Sequence, residues 1–314
     1  VDIDPTCRFP YETNNPGSAF VAADLSKAHA VDIGSLFPED SVRVLIGCAP
    51  CQPFSRYSNT RRSSDDKWRL VYAFSRAIRA THPVVVSMEN VPDLARHRVF
   101  RDFLASLERD GYFVGWGVVD AADYGVPQTR RRLVLLASTL GPIELIPAPR
   151  RQKRKTVRDA IGHLDPIAAG MASPKDRLHR SSALTDINIQ RIRCTPEGGG
   201  WRDWPERLKL ACHRKESGAS FPSVYGRMRW DEPAPTLTTQ CHGLGNGRFG
   251  HPDQDRAISL REAALLQTFP ASYRFVPDDA SIEIGTVARH IGNAVPVRLA
   301  RAIARSIKLH LADR

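Results

Sequence analysis

The sequence is short of the features that mark secreted and membrane proteins. No apolar run approaches the roughly 20 residues that a transmembrane helix needs, and no signal peptide is visible from Val1 onward. Six cysteines in 314 residues do not suggest a disulfide framework and fit a reducing cytosol. With 42% apolar residues, the composition is that of a soluble globular protein, long enough for one large or two smaller domains.

Acidic residues are scarce relative to basic ones. The formal net charge is +11, and residues 151–230 contain 17 Lys and Arg against 8 Asp and Glu. Such an excess forms either a solvated basic face or a surface that attracts a polyanion such as nucleic acid. Charge by itself leaves both interpretations open.

Strand and helix patterns alternate over the first 140 residues. Helical periodicity predicts helices near residues 70–78 and 99–107, between apolar runs that predict strands. The strands are expected at 42–47, 84–88, 112–119 and 133–137. The alternation predicts an α/β protein with a parallel, doubly wound sheet.

Regular patterning stops at Gly141 and returns at Leu260–Gln267 and in a final helix from Val297. The stretch 151–250 between them lacks sustained periodicity and is rich in Pro, Gly and Arg. We expect a small irregular domain there, because five large aromatic residues are available to anchor a core. They are Trp201, Trp204, Phe221, Tyr225 and Trp230.

A cysteine and a carboxylate each follow a predicted strand. The first strand runs into Gly47-Cys48-Ala49-Pro50-Cys51-Gln52, and the run 84–88 ends in Glu89. In open α/β sheets, ligand and active sites lie at the carboxyl ends of the strands. A thiol nucleophile and a proton donor can therefore lie close together there. Two other interpretations of Cys51 stay open at this point. Cys48 and Cys51 form a C-x-x-C redox or metal half-site pattern, or Cys51 is simply a small buried apolar residue.

Five sequence blocks stand in a characteristic order along the chain. The first two are Pro50-Cys51-Gln52 and Glu89-Asn90-Val91. The others are Gln128-Thr129-Arg130-Arg131-Arg132, Arg256 with Leu260 to Pro270, and Gly292-Asn293-Ala294-Val295-Pro296. Together, with a basic irregular insert between the third and fourth, they closely resemble the DNA cytosine-C5 methyltransferases of bacterial restriction–modification type. The resemblance covers essentially the whole chain.

The resemblance implies a mechanism and a set of catalytic residues. Cys51 adds to C6 of cytosine, Glu89 in its protonated form donates to N3, and Arg132 holds O2 and supports Glu89. Arg130 lies nearby and orients the site, and the methyl group comes from S-adenosylmethionine. The target base must leave the duplex for this chemistry. Substrate contacts are expected from Ala49, Pro50, Gln52 and Asn90, although Asn90 has the alternative role of bracing the loop after its strand.

The resemblance also implies cofactor contacts. Asp2 is expected on the ribose hydroxyls, Ile3 against adenine, Asp24 near the adenine amino group, and Asn293 near the cofactor. The Phe-x-Gly-x-Gly loop of the family is not found in the sequence. Residues 1–314 alone are therefore expected to bind S-adenosylmethionine weakly and to turn over little. The alternatives are a truncated or split-enzyme DNA-binding chain and a transfer-RNA cytosine-C5 methyltransferase.

The expected organisation is a Rossmann-like methyltransferase lobe with an inserted recognition domain. Residues 1–150 and 251–314 form the lobe, and 151–250 form the target recognition domain. The expected binding partner is double-stranded DNA. A cognate restriction endonuclease is expected as a functional partner, without physical association. The resemblance further implies no metal, no membrane, a monomer unless the enzyme is naturally split, and a nucleoid-associated activity in the bacterial cytoplasm.

Overall fold

The computed structural model describes residues 1–27, 32–48, 69–149, 153–215, 218 and 221–313. The chain divides into two compact units by its internal contacts. Unit 1 comprises Val1–Asp120, Arg131–Pro149 and Leu299–Arg314, and unit 2 comprises Ala121–Arg130 and Arg150–Arg298. Residues 251–298 thus pack in the same unit as the basic insert, while the assignment of 151–250 to DNA recognition stays a prediction.

Unit 1 is built on a four-stranded sheet whose order is β1-β2-β4-β3. Strand β1 is parallel to β2, while β4 is antiparallel to both β2 and β3. The strands are β1 (Val44–Gly47), β2 (Val85–Asn90), β3 (Phe113–Asp120) and β4 (Arg131–Ser138). All four lie where the apolar runs predicted strands.

The sheet is mixed, whereas the sequence pattern predicted parallel strands throughout. The connection from β3 to β4 is the segment Ala121–Arg130, which holds one short 3-10 turn. A parallel pair needs a crossover of a dozen or more residues, usually a helix. Because this connection is too short for a crossover, β3 and β4 form an antiparallel pair.

Two amphipathic helices pack together in unit 1, as their periodicity predicts. Helix α2 (Arg69–Thr81) and helix α3 (Arg98–Arg109) contact each other through stacked rings of Phe74 and Phe103, 5.9 Å apart. The ring of Phe74 also packs against Gly47 at the end of β1. A Cβ atom at position 47 would lie 2.5 Å from that ring, so a larger residue there would force the ring to move. Unit 1 also contains helix α1 (Arg8–Asn14).

Unit 2 has short helices in a largely irregular chain, as expected for the insert. Its main apolar core surrounds two helices, α6 (Leu260–Leu266) and α7 (Ile284–Asn293). Unit 2 also contains α4 (Val157–Ile161) and α5 (Asp186–Arg193), while α8 (Val297–Ala312) belongs to unit 1 from Leu299 onward. Among the described residues, no helix combines the length and apolarity needed to cross a membrane.

The aromatic residues of the insert are divided between core and surface. Trp201 and Trp204 are buried with Leu208 in a small cluster of their own, against which Tyr225 packs. Trp230 packs on the main core of unit 2. The expectation for Phe221 was wrong, because this residue is 44% exposed; its carbonyl accepts the indole N–H of Trp201 at 3.0 Å.

Buried arginines hold the irregular segments of unit 2 together. Arg227 is 4% exposed and donates to the carbonyls of Thr195 at 2.7 Å, His251 at 2.9 Å and Ile192 at 3.0 Å. Buried carbonyls outside helices and sheets need such partners. A guanidinium group with five donors can satisfy several of them at once.

A fully buried ion pair lies at the start of α6. Arg256 donates to both carboxylate oxygens of Glu262 at 2.7 Å, and neither side chain is more than 1% exposed. Glu262 also accepts from the backbone N–H of Ser259 at 2.7 Å, which completes a capping box. Burial alone would raise the pKa of Glu262, but the hydrogen bonds and charge of Arg256 hold that pKa below its usual range.

Breaking this pair should destabilise the protein strongly. Arg256→Met leaves Glu262 buried without its counter-ion, so we expect the free energy of unfolding to fall by about 3–5 kcal/mol. Urea unfolding followed by circular dichroism measures the change. The matched control is Arg158→Met, which breaks an exposed pair with Asp231 and should cost less than about 1 kcal/mol. Equal small losses in both variants would contradict the expectation.

Acid should destabilise the protein through His251. Burial lowers the pKa of His251 to about 4, and its Nδ1 accepts from the backbone N–H groups of Asp253 and Gln254. The unfolded chain takes up this proton near pH 6.5, so stability should fall as the pH drops from 6.5 towards 4. The variant His251→Gln should show a shallower slope of unfolding free energy against pH across that interval. An unchanged slope would show that His251 is not the titrating group.

Candidate active site

Glu89 and Arg132 form the predicted catalytic pair on neighbouring strands. In the antiparallel register of β2 and β4, Glu89 lies opposite Val134. Side chains two residues apart along a strand share a face, so Arg132 lies on the same face as Glu89. Arg132 Nε is 2.8 Å from Glu89 Oε1, and the two side chains are only 11% and 12% exposed. The structure therefore brings these two predicted residues together.

The guanidinium of Arg132 is held at two points. Besides the ion pair with Glu89, Arg132 Nη1 donates to the carbonyl of Arg131 at 2.8 Å. Charge pairs in poorly solvated surroundings interact more strongly than at the surface, and a planar guanidinium constrains the direction of a carboxylate. The arrangement thus orients the Glu89 carboxyl group before any substrate binds.

The end of β1 lies beside this pair. In the parallel register of β1 and β2, Gly47 lies opposite Met88, the residue before Glu89. Cys48 follows at the same edge of the sheet. The predicted nucleophile Cys51 and the predicted substrate contacts Ala49, Pro50 and Gln52 lie outside the described residues, so their roles stay predictions.

Asn90 ends β2 as a buried side chain. Its Oδ1 accepts the backbone N–H of Val91 at 2.9 Å, and its exposed fraction is 3%. This contact fits the alternative in which Asn90 braces the loop after the strand. A direct contact with substrate stays a prediction.

Two of the segments predicted to hold the cofactor lie side by side in unit 1. Asp2 forms a parallel bridge with Ala22 and is bonded through its backbone to Val21 and Ala23, next to Asp24. Asp2 and Asp24 each accept one local backbone N–H on Oδ1, from Asp4 at 2.8 Å and from Ser26 at 2.9 Å. The side chain of Ile3 is 67% exposed.

Arg130 and Asn293 belong to unit 2. Arg130 is 4% exposed and donates to the carbonyls of Leu237 at 2.8 Å, Gly292 at 3.1 Å and Ala294 at 3.4 Å. Asn293 is the last residue of α7 and is exposed. These contacts tie Arg130 to the backbone, and its predicted part in catalysis stays a prediction.

Gln128 and Gln267 bond each other in the interior of unit 2. Gln128 Nε2 donates to Gln267 Oε1 at 3.0 Å, and both side chains are fully buried. The sequence did not reveal that Arg130 bonds the turn after α7. One sequence signal could have indicated this contact. The segment Gly292 to Pro296 contains no Lys or Arg, so a donor for its backbone carbonyls has to come from elsewhere in the chain.

Comparison with known proteins identifies relatives of this chain. A profile of C-5 cytosine-specific DNA methylases matches residues 1–309. The chain is 51% identical to the Type II methylase M.HgiDII of Herpetosiphon aurantiacus, over 99% of this chain and 88% of that protein. It is 30% identical to the Type II methyltransferase M1.HphI of Haemophilus parahaemolyticus, over 98% and 79% of the two chains.

Solved structures confirm the predicted α/β fold class. A prophage-encoded chain of E. coli, described as a DNA modification methyltransferase, superposes with a TM-score of 0.73 at 22% identity, covering 99% of this chain and 91% of that one. The S. pombe Dnmt2 methyltransferase gives a TM-score of 0.67 at 16% identity, covering 100% and 90%. At these identities the likeness concerns the fold alone. With the profile and the 51% identical relative, the chain belongs to the C-5 cytosine-specific DNA methylase family.

Proposed function

We propose that this DNA cytosine-5 methyltransferase acts through a covalent bond between Cys51 and C6 of a flipped-out cytosine. The observation that carries the proposal is the Glu89–Arg132 pair at 2.8 Å, set beside the end of the strand that leads to Cys51. Family membership supports DNA as the substrate and a restriction–modification type of enzyme. Adding a thiolate at C6 makes C5 nucleophilic, which an unactivated cytosine ring is not.

Glu89 and Arg132 divide the remaining work at the cytosine ring. Glu89 delivers a proton to N3, which offsets the negative charge that Cys51 brings to the ring. Arg132 donates to O2 and keeps the Glu89 carboxyl group in position. Once C5 carries the methyl group, a base removes the C5 proton and the C6–S bond breaks, which returns Cys51 as its thiolate. N3 gives its proton back to Glu89, and the methylated base is released. Because no side chain reaches these atoms inside a stacked duplex, the base is flipped out first.

The residues of the N-terminal segments fit S-adenosylmethionine, the methyl donor that members of this family generally use. The exposed apolar side chain of Ile3, 67% exposed, offers a surface for adenine. The neighbouring carboxylates of Asp2 and Asp24 can accept hydrogen bonds from ribose hydroxyls and from the adenine amino group. When bound, this cofactor supplies the electrophilic methyl group. Asn293 is a further proposed contact.

DNA recognition is assigned to the basic insert. Residues 151–230 carry 17 basic and 8 acidic residues, so the insert attracts phosphates while side chains in a groove read the bases. We place the target recognition domain at 151–250 and the methyltransferase lobe at 1–150 and 251–314.

The covalent step is tested by substituting the two cysteines of the C-x-x-C pattern separately. In a form of the protein that also carries the family's Phe-x-Gly-x-Gly segment, we expect Cys51→Ser to lose methyl transfer by several orders of magnitude while it still binds DNA, and Cys48→Ala to retain activity. Duplex DNA containing 5-fluorocytosine should trap an adduct with the parent protein and with Cys48→Ala, because fluorine at C5 cannot leave as a proton. Gel shift under denaturing conditions measures the adduct.

The same assay separates this proposal from its rivals. Equal loss of activity in both cysteine variants, without an adduct, would support a redox or metal role for the pattern. An adduct with transfer RNA, but not with duplex DNA, would show that the protein is a transfer-RNA cytosine-C5 methyltransferase.

The geometry of the Glu89–Arg132 pair is tested by a substitution that keeps the charge. Arg132→Lys removes the planar donor group that orients Glu89, so we expect kcat/KM to fall about 10- to 100-fold, as for the loss of a charged hydrogen bond. The control is Arg131→Lys at the exposed neighbouring position, for which little change is expected. Steady-state methylation of duplex DNA measures both, and equal rates for the two variants would contradict the assigned role.

A further inference from the structure

The carboxyl end of α7 is held by side chains from distant parts of unit 2. The last carbonyls of a helix lack partners within the helix. Here Gln267 Nε2 donates to the carbonyls of Ile291 at 2.7 Å and Ala294 at 3.2 Å. Arg130 Nη2 donates to the carbonyls of Gly292 at 3.1 Å and Ala294 at 3.4 Å. A cation at this end of a helix is also favoured by the helix dipole.

The same side chains are fixed at their other ends. Arg130 Nη1 donates to the carbonyl of Leu237 at 2.8 Å, and Gln128 Oε1 accepts the N–H of Leu237 at 3.0 Å. Gln128 Nε2 in turn donates to Gln267 Oε1 at 3.0 Å. Gln128 and Gln267 are 0% exposed and Arg130 is 4% exposed. The network is therefore closed and buried, which favours a single geometry.

Close backbone packing restricts the turn further. A Cβ atom at Gly292 would lie 2.3 Å from the carbonyl oxygen of Thr238 and 2.5 Å from the backbone nitrogen of Thr239. Position 292 thus requires glycine, because the 238–239 backbone lies directly against it. Between the two carbonyls that Arg130 holds, at 292 and 294, stands the exposed residue Asn293.

We propose that Arg130 is a positioning residue for Asn293. By bonding the carbonyls on both sides of Asn293, Arg130 fixes the backbone that carries this side chain at the end of α7. The proposal rests on the proposed function, in which Asn293 contacts the cofactor. Arginine is required because a lysine has a single nitrogen and cannot reach three carbonyls with the same spread of donors.

A double-mutant cycle on the full-length protein tests this role. The variants are Arg130→Lys, Asn293→Ala and their combination, and calorimetry gives the Kd for S-adenosylhomocysteine. We expect each single substitution to weaken binding about 5- to 10-fold, the scale of one hydrogen bond. The double variant should bind no more weakly than the weaker single variant, since Arg130 acts through Asn293.

The matched control is Arg227→Lys, another buried arginine, which bonds four carbonyls in unit 2. It should lower the Tm, as Arg130→Lys does, but leave the Kd unchanged. If Arg130→Lys does not fold, Gln267→Met supplies the same cycle, because Gln267 bonds the carbonyls of Ile291 and Ala294.

Each outcome bears on a separate claim. Additive effects of Arg130→Lys and Asn293→Ala on the Kd would overturn the positioning role, and so would an unchanged Kd in Asn293→Ala. The 5-fluorocytosine adduct with the parent protein judges the proposed function independently. An intact adduct with additive Kd effects would thus reject only the role of Arg130.

Discussion

The arrangement of the site depends on the antiparallel pairing of β2 with β4. That pairing puts Glu89 opposite Val134, and so on the same face as Arg132, two residues along β4. Since β1 pairs with the other edge of β2, the segment after Gly47 emerges at the same end of the sheet. A shift of one residue in the β2–β4 register would turn one of the two side chains to the opposite face. The strand register therefore places Glu89 and Arg132 on one face of the sheet.

Unit 2 is largely irregular, so many of its buried carbonyl groups lack the backbone hydrogen-bond partners that a sheet would provide. Guanidinium groups take the place of sheet hydrogen bonds there. Arg227 bonds four carbonyls, Arg130 bonds three more, and Arg256 pairs with a buried carboxylate. Each of these arginines is at most 4% exposed. Part of the basic excess of the chain is therefore internal and structural, and the surface charge available for DNA is smaller than the sequence count.

The sequence predicted what local periodicity and motif order can encode. The apolar faces of α2 and α3, the positions of all four strands and the meeting of Glu89 with Arg132 follow from such patterns. The antiparallel pairing of β3 and β4 follows from the shortness of their connection, which the alternation of strand and helix patterns does not record. The contacts of Arg130 depend on tertiary packing between segments more than a hundred residues apart, and the exposure of Phe221 likewise depends on tertiary packing, which no short-range pattern records. The contacts of Cys51 remain predictions from motif order alone.

The segment Ala121–Arg130 lies between two adjacent strands of unit 1 yet packs in unit 2. Its partners are encoded far downstream, with Arg130 and Ala294 separated by 164 positions and Gln128 and Gln267 by 139. At a synthesis rate of about 5–20 residues per second, those partners follow roughly 7 to 33 seconds later. Until they have been synthesised, the buried hydrogen bonds of Gln128 and Arg130 cannot form, although β2, β3 and β4 are already complete. The connection between β3 and β4 is therefore the last part of this hairpin that can reach its final contacts.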